Sequence, residues 1–477
     1  MIRLRVADIV QSTGCELIAG SETRELEGVS TDTRSLGANS LFVSLSGPNF
    51  DGNQFARAAV EGGAAALLLS GTPEEHELLR RELPAGVALM CHANPRRALA
   101  DLGAWHRSRL DIPVVGVTGS CGKTTTKNIL VELLSGLRKT VGSPSSFNNE
   151  IGVPHTLFLA DKSTETLIVE MGTNNPGEIS ALCRMARPTG AILTNIGASH
   201  LEGLHTIEGV AREKSDLLAC LSSSGFAVLG EDCPWTPHMR SVTGARVITF
   251  SVDGEGDLNA TDVWFHSAGT TFQLEGREVT FPLLGLHNVQ NLLAALAACR
   301  GLGIALDELL PHVSELSGGK RRLEKKHCGE LTLLDDTYNA NPESAKASVR
   351  VLAGIHGHDR RVLVLGDMLE LGDLAAELHY AVGLHAAKKG IDKLFLVGGL
   401  TRATAAGALE GGLRAEDIVH YESLDPALVE IPDQLNDGDL VLIKGSRAMG
   451  LERLVAVIER MHKGAEHKMA TLQGGVR

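Results

Sequence analysis

The sequence has no Cys-x-x-Cys pair among its eight scattered cysteines, so neither a zinc knuckle nor a disulfide framework is indicated. It has no apolar run near the ~20 residues that a membrane helix requires, and its first residues carry no signal-peptide core. A cytoplasmic protein without membrane insertion is therefore expected. A basic excess is missing as well: 45 Lys plus Arg face 58 Asp plus Glu, for a net charge of −13. That balance argues against nucleic acid or an anionic membrane as the main partner, while leaving room for a local basic pocket that takes phosphates. Self-similarity at solenoid periods is absent. So is Asn-Lys-x-Asp, the element with which a GTPase reads its base.

What is present is the composition of an ordinary globular protein, 43% hydrophobic and 22% charged. At 477 residues the chain exceeds one core, and its patterns divide it into three α/β units. Residues 1–85 read as a small mixed α/β unit with the turn Gly47-Pro48-Asn49-Phe50-Asp51-Gly52. Residues 86–316 open with a linker helix at 94–108 and continue as apolar strands alternating with helical patterns. Such alternation implies a mainly parallel sheet, with ligands at the carboxyl ends of its strands. Short alternating runs over 246–283 suggest an antiparallel edge. Ser317-Gly318-Gly319-Lys320 reads as a hinge, residues 317–462 as a second, Rossmann-like βα series, and 463–477 as a frayed polar tail.

The most informative stretch is Val114–Thr126, Val-Val-Gly-Val-Thr-Gly-Ser-Cys-Gly-Lys-Thr-Thr-Thr. A β-branched strand ends in a glycine loop that opens a helical pattern, the arrangement that cradles a phosphate. Backbone N–H groups and the positive end of the helix dipole point at the anion, and glycine lets the chain approach it. Gly119, Ser120, Cys121, Gly122, Lys123, Thr124 and Thr125 are the candidate nucleotide contacts. Lys123 would bring charge to the terminal phosphates, and the Thr124 hydroxyl would ligate Mg²⁺. The usual P-loop has a glycine where Val117 stands; Gly119 makes this the shorter Gly-x-x-Gly-Lys-Thr form. Cys121 occupies a free loop position, either as a thiol activated by the helix N-terminus or as a variable residue.

This short loop resembles that of the Mur ligase and folylpolyglutamate synthetase superfamily. The resemblance extends from Ser30-Thr31-Asp32-Thr33-Arg34 to Lys444-Gly445-Ser446-Arg447. It implies an enzyme that uses ATP and two Mg²⁺ ions to join a carboxylate to an amine. In Mur ligases a Ser-Thr-Asp-Ser-Arg segment belongs to the UDP-binding domain, which assigns Ser30, Thr31, Asp32 and Arg34 to substrate. Asn53 stands where the family carries histidine in the following turn. Glu170, in Glu-Met-Gly, and His200, in Asn-Ile-x-x-x-His-Leu, match segments that hold the second magnesium. Lys214 matches the lysine that Mur ligases carbamylate, a change that turns a cation into a metal-binding carboxylate. Lys123, His200 and Lys214 are thus the implied catalytic residues, and Thr124, Glu170, His200 and Lys214 the implied metal ligands.

The remaining assignments also follow from resemblance. Asn148 and Asn149, in Asn-Asn-Glu-Ile-Gly-Val-Pro, fall near the muramoyl substrate, and Asn288, flanked by His287 and Asn291, at the adenine. Arg322 falls at the terminal phosphate and Asp336 at the ribose, with Arg321 and Asp335 as neighbouring alternatives. Lys444 and Ser446 open a turn able to grip a carboxylate, or simply to start a helix. Asn339 and Asn341 lie in Asp336-Thr337-Tyr338-Asn339-Ala340-Asn341-Pro342. That is the version found in the family branch whose substrates are UDP-N-acetylmuramoyl-tripeptide and D-alanyl-D-alanine. The Asp-Asn-Pro-Arg motif of the diaminopimelate-adding branch is missing from this region; Ala93-Asn94-Pro95-Arg96 is a lookalike in the linker. A monomer is expected. The competing readings are a sister or folylpolyglutamate-type ligase and, from another class, a P-loop nucleotide switch.

Overall fold

The computed structural model describes residues 2–47, 50–266, 269–317 and 319–461. Pro48 and Asn49 of the expected turn, Gly318 of the expected hinge and the expected tail at 463–477 lie outside the described residues. Three main sheets carry the fold, and each is mainly parallel.

The first sheet runs Glu16–Ala19, Ala88–Cys91, Ala64–Leu69, Ser40–Val43, Val29–Ser30, with only the first pair antiparallel. Ala88–Cys91 is an inner strand, so this unit reaches past the expected boundary at residue 85. The run is too short and too apolar to stand out from a connection in the sequence, and its neighbours alone identify it. Helix Pro95–Ser108 follows, capped by the Asn94 side chain accepting from the Arg97 N–H at 3.1 Å. Ala98, Leu99 and Leu102 of that helix belong to the core of the first sheet, while Gly103 meets Pro154 of the second unit.

The second sheet has nine strands in the order Arg277–Phe281, Gly269–Leu274, Leu258–His266, Arg246–Val252, Phe226–Gly230, Gly190–Leu193, Val114–Thr118, Thr166–Glu170, Thr140–Gly142. Helices cover both faces, so its strands alternate between two cores rather than between core and water. Val115 and Val117 enter the core built with helices Lys123–Ser135 and Leu286–Gly301. Val114 enters the opposite core with Leu217 and Leu218 of helix Ile207–Ala219. Gly116 permits that helix to sit close, since a Cβ there would come within 2.7 Å of Leu217. The antiparallel edge is smaller than the alternation over 246–283 suggests. Arg246–Val252 pairs parallel with Phe226–Gly230, and antiparallel pairing begins only at Leu258–His266. Ile248 and Phe250 are buried beneath helix Leu286–Gly301, and the parallel series gains two strands, Arg246–Val252 and Leu258–His266.

The third sheet runs Glu324–Cys328, Leu331–Asp336, Leu440–Lys444, Arg361–Gly366, Lys393–Val397, Ile418–Tyr421, parallel apart from its first pair. Helix Thr401–Glu410, not evident in the sequence, packs on helix Ala375–Lys388 through two glycines. A Cβ on Gly383 would overlap the Thr404 carbonyl, and one on Gly407 the Tyr380 carbonyl. Its small, evenly spread apolar residues give no amphipathic stripe to read.

Arg107 ties the linker helix to the second unit through backbone carbonyls, with no carboxylate ion pair among the described residues. Its guanidinium is buried and donates to the carbonyls of Ala186 at 2.8 Å, Leu110 at 2.6 Å, Arg187 at 3.3 Å and Ile112 at 3.4 Å. Burial pushes its pKa below the ordinary arginine value. Arg107→Met removes donors from buried carbonyls and is expected to cost about 3 kcal/mol, or roughly 6–12 °C in melting temperature. Calorimetry checks this. An unchanged transition would mean that water replaces the guanidinium.

Candidate active site

The carboxyl end of strand Val114–Thr118 and the two neighbouring strands open on a cavity of about 520 Å³. The phosphate loop forms its floor. Gly119 (φ +146°) and Gly122 (φ +83°) hold conformations that L side chains avoid. A Cβ on Gly119 would overlap Thr194 Oγ1, and one on Gly122 would overlap Asn291 Oδ1. No side chain caps helix Lys123–Ser135, which leaves its first N–H groups for an anion. The loop is clamped from behind. Cys121 N donates to Asn195 Oδ1 at 2.9 Å, Thr194 Oγ1 to the Cys121 carbonyl at 2.5 Å and Ser120 Oγ to the Gly197 carbonyl at 2.9 Å. Burial raises the Cys121 thiol pKa, opposed by its hydrogen bond to Asn341. Lys123 Nζ donates to the Gly119 carbonyl at 2.6 Å, and burial shifts its pKa down. Ser120, Thr124 and Thr125 also line the cavity.

Glu170 ends the adjacent strand and is 1% exposed. Asn148 Nδ2 donates to its Oε1 at 3.0 Å, while Oε2 has no hydrogen-bond partner. A buried, half-satisfied carboxylate beside a phosphate loop is suited to a divalent cation. His200 also reaches the cavity, from a left-handed backbone position (φ +53°). Its Nδ1 lies 2.8 Å from Glu370 Oε2, contributed by the third unit and approaching off the ring N–H direction. Burial lowers the His200 pKa, opposed by Glu370. Lys214 lies behind the cavity wall rather than on it. It is fully buried, its Nζ has no partner, and desolvation, reinforced by Lys123, sets its pKa well below the usual lysine value. Beside it, Glu213 is fully engaged, accepting from Gly177 N at 2.6 Å, Ile179 N at 2.8 Å and Thr173 Oγ1 at 3.2 Å.

Among the described residues no three His, Cys, Asp or Glu side chains converge as a metal cluster. Glu170, His200 and the Thr124 hydroxyl nevertheless fit divalent ions that take their remaining ligands from phosphate oxygens and water, the habit of Mg²⁺.

The third unit supplies the facing wall. Arg322 and Asp336 line the cavity; Arg321 and Asp335 do not. Arg321 instead lies 3.2 Å from Glu452, and Asp335 accepts from Thr337 Oγ1 at 2.7 Å and pairs with Lys326 at 3.1 Å. Arg322 stacks on Tyr338 with its guanidinium carbon 4.0 Å from the ring centre, and Ser146 bonds the Tyr338 hydroxyl from the second unit. Asp336 Oδ2 accepts from Lys444 Nζ and Ser348 Oγ, both at 2.6 Å. Asn341 caps helix Pro342–Gly354 and also touches the phosphate loop, accepting from Cys121 Sγ at 3.1 Å and donating to the Ser120 carbonyl at 3.3 Å. Asn339 lines the cavity, accepting from Arg447 N at 3.3 Å, and Ser446 Oγ accepts from Leu369 N at 2.9 Å.

The amides expected at the adenine are engaged within the fold. Asn291 Oδ1 accepts from Thr126 at 3.2 Å and its Nδ2 donates to Asn288 Oδ1 at 3.2 Å, while Asn288 Nδ2 donates to the Leu284 carbonyl. His287, pushed down to about 4 by burial, and Gln290 line the cavity beside them. Asn149 lines it too, its Oδ1 capping the turn at Gly152 N.

Ser30, Thr31, Asp32 and Arg34 are not brought to this cavity. Asp32 pairs with Arg34 at 2.6 Å on the surface, Ser30 Oγ donates to the Asp32 carbonyl, and Thr31 bonds His155 of the second unit at 3.1 Å. Asn53 bridges Ser44 and Ser70. Sequence reasoning missed Glu370, Tyr338 and Lys127. Lys127, one turn beyond Lys123, holds the carbonyls of Ser143 at 2.7 Å and Ser145 at 3.0 Å, and with them the loop that carries Asn148.

A short phosphate loop, an unsatisfied carboxylate, and an arginine and aspartate brought from a separate Rossmann-like sheet define an enzyme that draws ATP into a cleft between domains. Residues 117–299 match the Mur ligase middle domain, and residues 321–447 match the Mur ligase, glutamate ligase domain. The chain is similar, at 35% identity, to UDP-N-acetylmuramoyl-tripeptide–D-alanyl-D-alanine ligase of Bacillus subtilis (strain 168), covering 91% of this chain and 93% of that one. Its fold is similar to MurF from Acinetobacter baumannii, with TM-score 0.85, 29% identity and 96% and 99% of the two chains covered. It is also similar to MurF ligase from Thermotoga maritima in complex with ADP, with TM-score 0.79, 25% identity and 92% and 98% covered. The chain belongs to the Mur ligase family and is an ATP-dependent ligase. Among the described residues no helix is long and apolar enough to cross a membrane.

Proposed function

We propose that this chain joins D-alanyl-D-alanine to the terminal carboxylate of UDP-N-acetylmuramoyl-tripeptide in peptidoglycan precursor synthesis, converting ATP to ADP and phosphate. The observation that carries the reading is the meeting of Tyr338-Asn339-Ala340-Asn341 with the phosphate loop through Asn341. That contact, from the segment that distinguishes this branch of the family, supports an acceptor amine that arrives beside the phosphate loop. In this reading the first unit, with Ser30–Arg34, holds the UDP moiety, the second holds ATP, and the third closes over both. The protein is a cytoplasmic monomer.

The tripeptide carboxylate attacks the γ-phosphorus, the bond to the β-phosphate oxygen breaks, and ADP leaves an acyl phosphate. The dipeptide amine then attacks the acyl carbon, losing a proton as phosphate departs. Lys123 and the N–H groups of residues 119–125 stabilise charge on the transferring group. Thr124, and Glu170 and His200 with a carbamylated Lys214, would hold two Mg²⁺ ions, which would supply screening between the carboxylate and the triphosphate. Arg322 contacts the terminal phosphate and Asp336 the ribose, while Asn148 holds Glu170 in place. Docking of the third unit keeps water from the acyl phosphate.

Phosphate release measured with each candidate amine, with and without the UDP-tripeptide, tests the proposal. Release is expected only when D-alanyl-D-alanine and the UDP-tripeptide are both present. Equal release with glutamate or diaminopimelate would assign another ligation step, and release with neither substrate would favour a nucleotide switch.

A further inference from the structure

The second and third units touch at the metal-binding loop as well as at the phosphate loop, through a residue that the ligation chemistry does not use. Glu370 follows strand Arg361–Gly366, has a left-handed backbone (φ +64°), and places its carboxylate 2.8 Å from His200 Nδ1. Its carbonyl accepts from Glu202 N at 3.5 Å, and Leu378 packs on the cluster Ala198, Leu201, Leu204 and Val210 beside His200. The segment that presents Glu370 is anchored within its own unit. Met368 N donates to His379 Nε2 at 3.0 Å, Leu369 N to Ser446 Oγ at 2.9 Å, and Ser446 N to the Asp367 carbonyl at 3.0 Å. Ser446 Oγ also reaches the Ala340 carbonyl at 3.4 Å. The Glu370 arm and the arm that ends in Asn341 on the phosphate loop are therefore tied to each other within the third unit.

We infer that Glu370 is a positioning residue for the metal site: docking of the third unit fixes the His200 ring and leaves Nε2 for a divalent ion. The inference rests on the assignment of His200 to the metal made under the proposed function. A carboxylate on the far nitrogen of a ligating histidine sets its tautomer and ring angle and raises its basicity, and loss of such a partner lowers metal affinity 10- to 100-fold as a rule. Here that partner comes from another domain. Docking and ion binding at His200 must then favour each other by the same factor.

The test uses the full chain with saturating ADP and Mn²⁺ as the probe, following free Mn²⁺ by electron paramagnetic resonance. Glu370→Ala is expected to weaken one nucleotide-dependent Mn²⁺ by about 10- to 100-fold and to leave metal-free ADP binding unchanged. Glu370→Gln, which keeps the size and polarity of the side chain but removes its charge, is expected to fall between Glu370→Ala and the native protein. In turnover, the Mn²⁺ concentration for half-maximal rate rises in Glu370→Ala, while kcat at saturating Mn²⁺ recovers toward that of the native protein. His200→Ala serves as the control. If His200→Ala weakens Mn²⁺ binding and neither Glu370 variant does, the inference is overturned and the metal assignment stands. If none of the three changes Mn²⁺ binding, the His200 assignment fails, and this inference with it. Thermal melts identify a misfolded Glu370→Ala, in which case Glu370→Gln alone decides: native-like Mn²⁺ affinity and half-maximal concentration overturn the inference.

Discussion

Lys123→Ala is expected to lower ATP-dependent ligation about a thousandfold, close to 4 kcal/mol of transition-state stabilisation, while binding of the UDP-tripeptide stays measurable. The size follows from the position of the ammonium group. Lys123 sits on the first turn of an uncapped helix in a buried cleft, where few ions screen it and burial works against its charge. Its Nζ donates to the Gly119 carbonyl of its own loop. A triphosphate offers far more negative charge than that carbonyl, so the ammonium is expected to turn to it. Alanine removes the cation and leaves the glycine cradle and Asn195 clamp intact, so the loss should fall on kcat more than on folding. The UDP substrate is held mainly by another unit and should bind within a few fold of normal. Single-turnover phosphate release, paired with calorimetric titration of the UDP substrate, checks both halves. Turnover within tenfold of native would remove Lys123 from the mechanism.

The phosphate loop was legible because its strand, glycines, lysine and helix are contiguous, and local rules fix where such a loop points. The choice of Arg322 and Asp336 over their neighbours was not. Each pair differs by one position, and which member faces the cleft depends on partners, Glu452 for Arg321 and Lys326 for Asp335, and for the aspartates also on strand alternation. Asn148 and Asn341 read as substrate contacts through the segments that resemble the family's, and Lys444 and Ser446 through a strand-end turn able to grip a carboxylate. The fold also gives each an internal bond that sequence cannot show, since the partner lies far along the chain. Glu370 had a weak signal, an acid just beyond the carboxyl end of a parallel strand. Nothing local says that this strand end meets His200 across a domain boundary. Lys214 looked like a helix-surface lysine because Arg212-Glu213-Lys214-Ser215-Asp216 is polar throughout. It is buried because its helix lies against the sheet and helix Glu178–Ala186, whose N–H groups are taken by Glu213.

That burial makes Lys214 the site of the second large effect. Lys214→Ala is expected to reduce ligation at least a hundredfold, and small carboxylates such as acetate should restore part of the loss. A fully buried ammonium with no hydrogen bond, close enough to Lys123 to be repelled by it, is an unstable arrangement for a cation. Two escapes exist. The amine can stay neutral, which its depressed pKa favours, or it can react with CO₂ through that neutral nitrogen. The nitrogen lone pair then forms a bond to carbon, one proton leaves, and a carbamate anion replaces the cation. That product would remove the buried cation, offset Lys123, and add an anionic ligand beside Glu170 and His200 if they hold a divalent ion as proposed. Deleting the side chain removes that ligand and opens space that acetate can enter in its place. Mass spectrometry of the native protein held at neutral pH should show the mass of one added CO₂, lost on acidification and absent from Lys214→Ala. An alanine variant with native turnover, or with a deficit that no carboxylate relieves, would show that the buried lysine acts by packing alone.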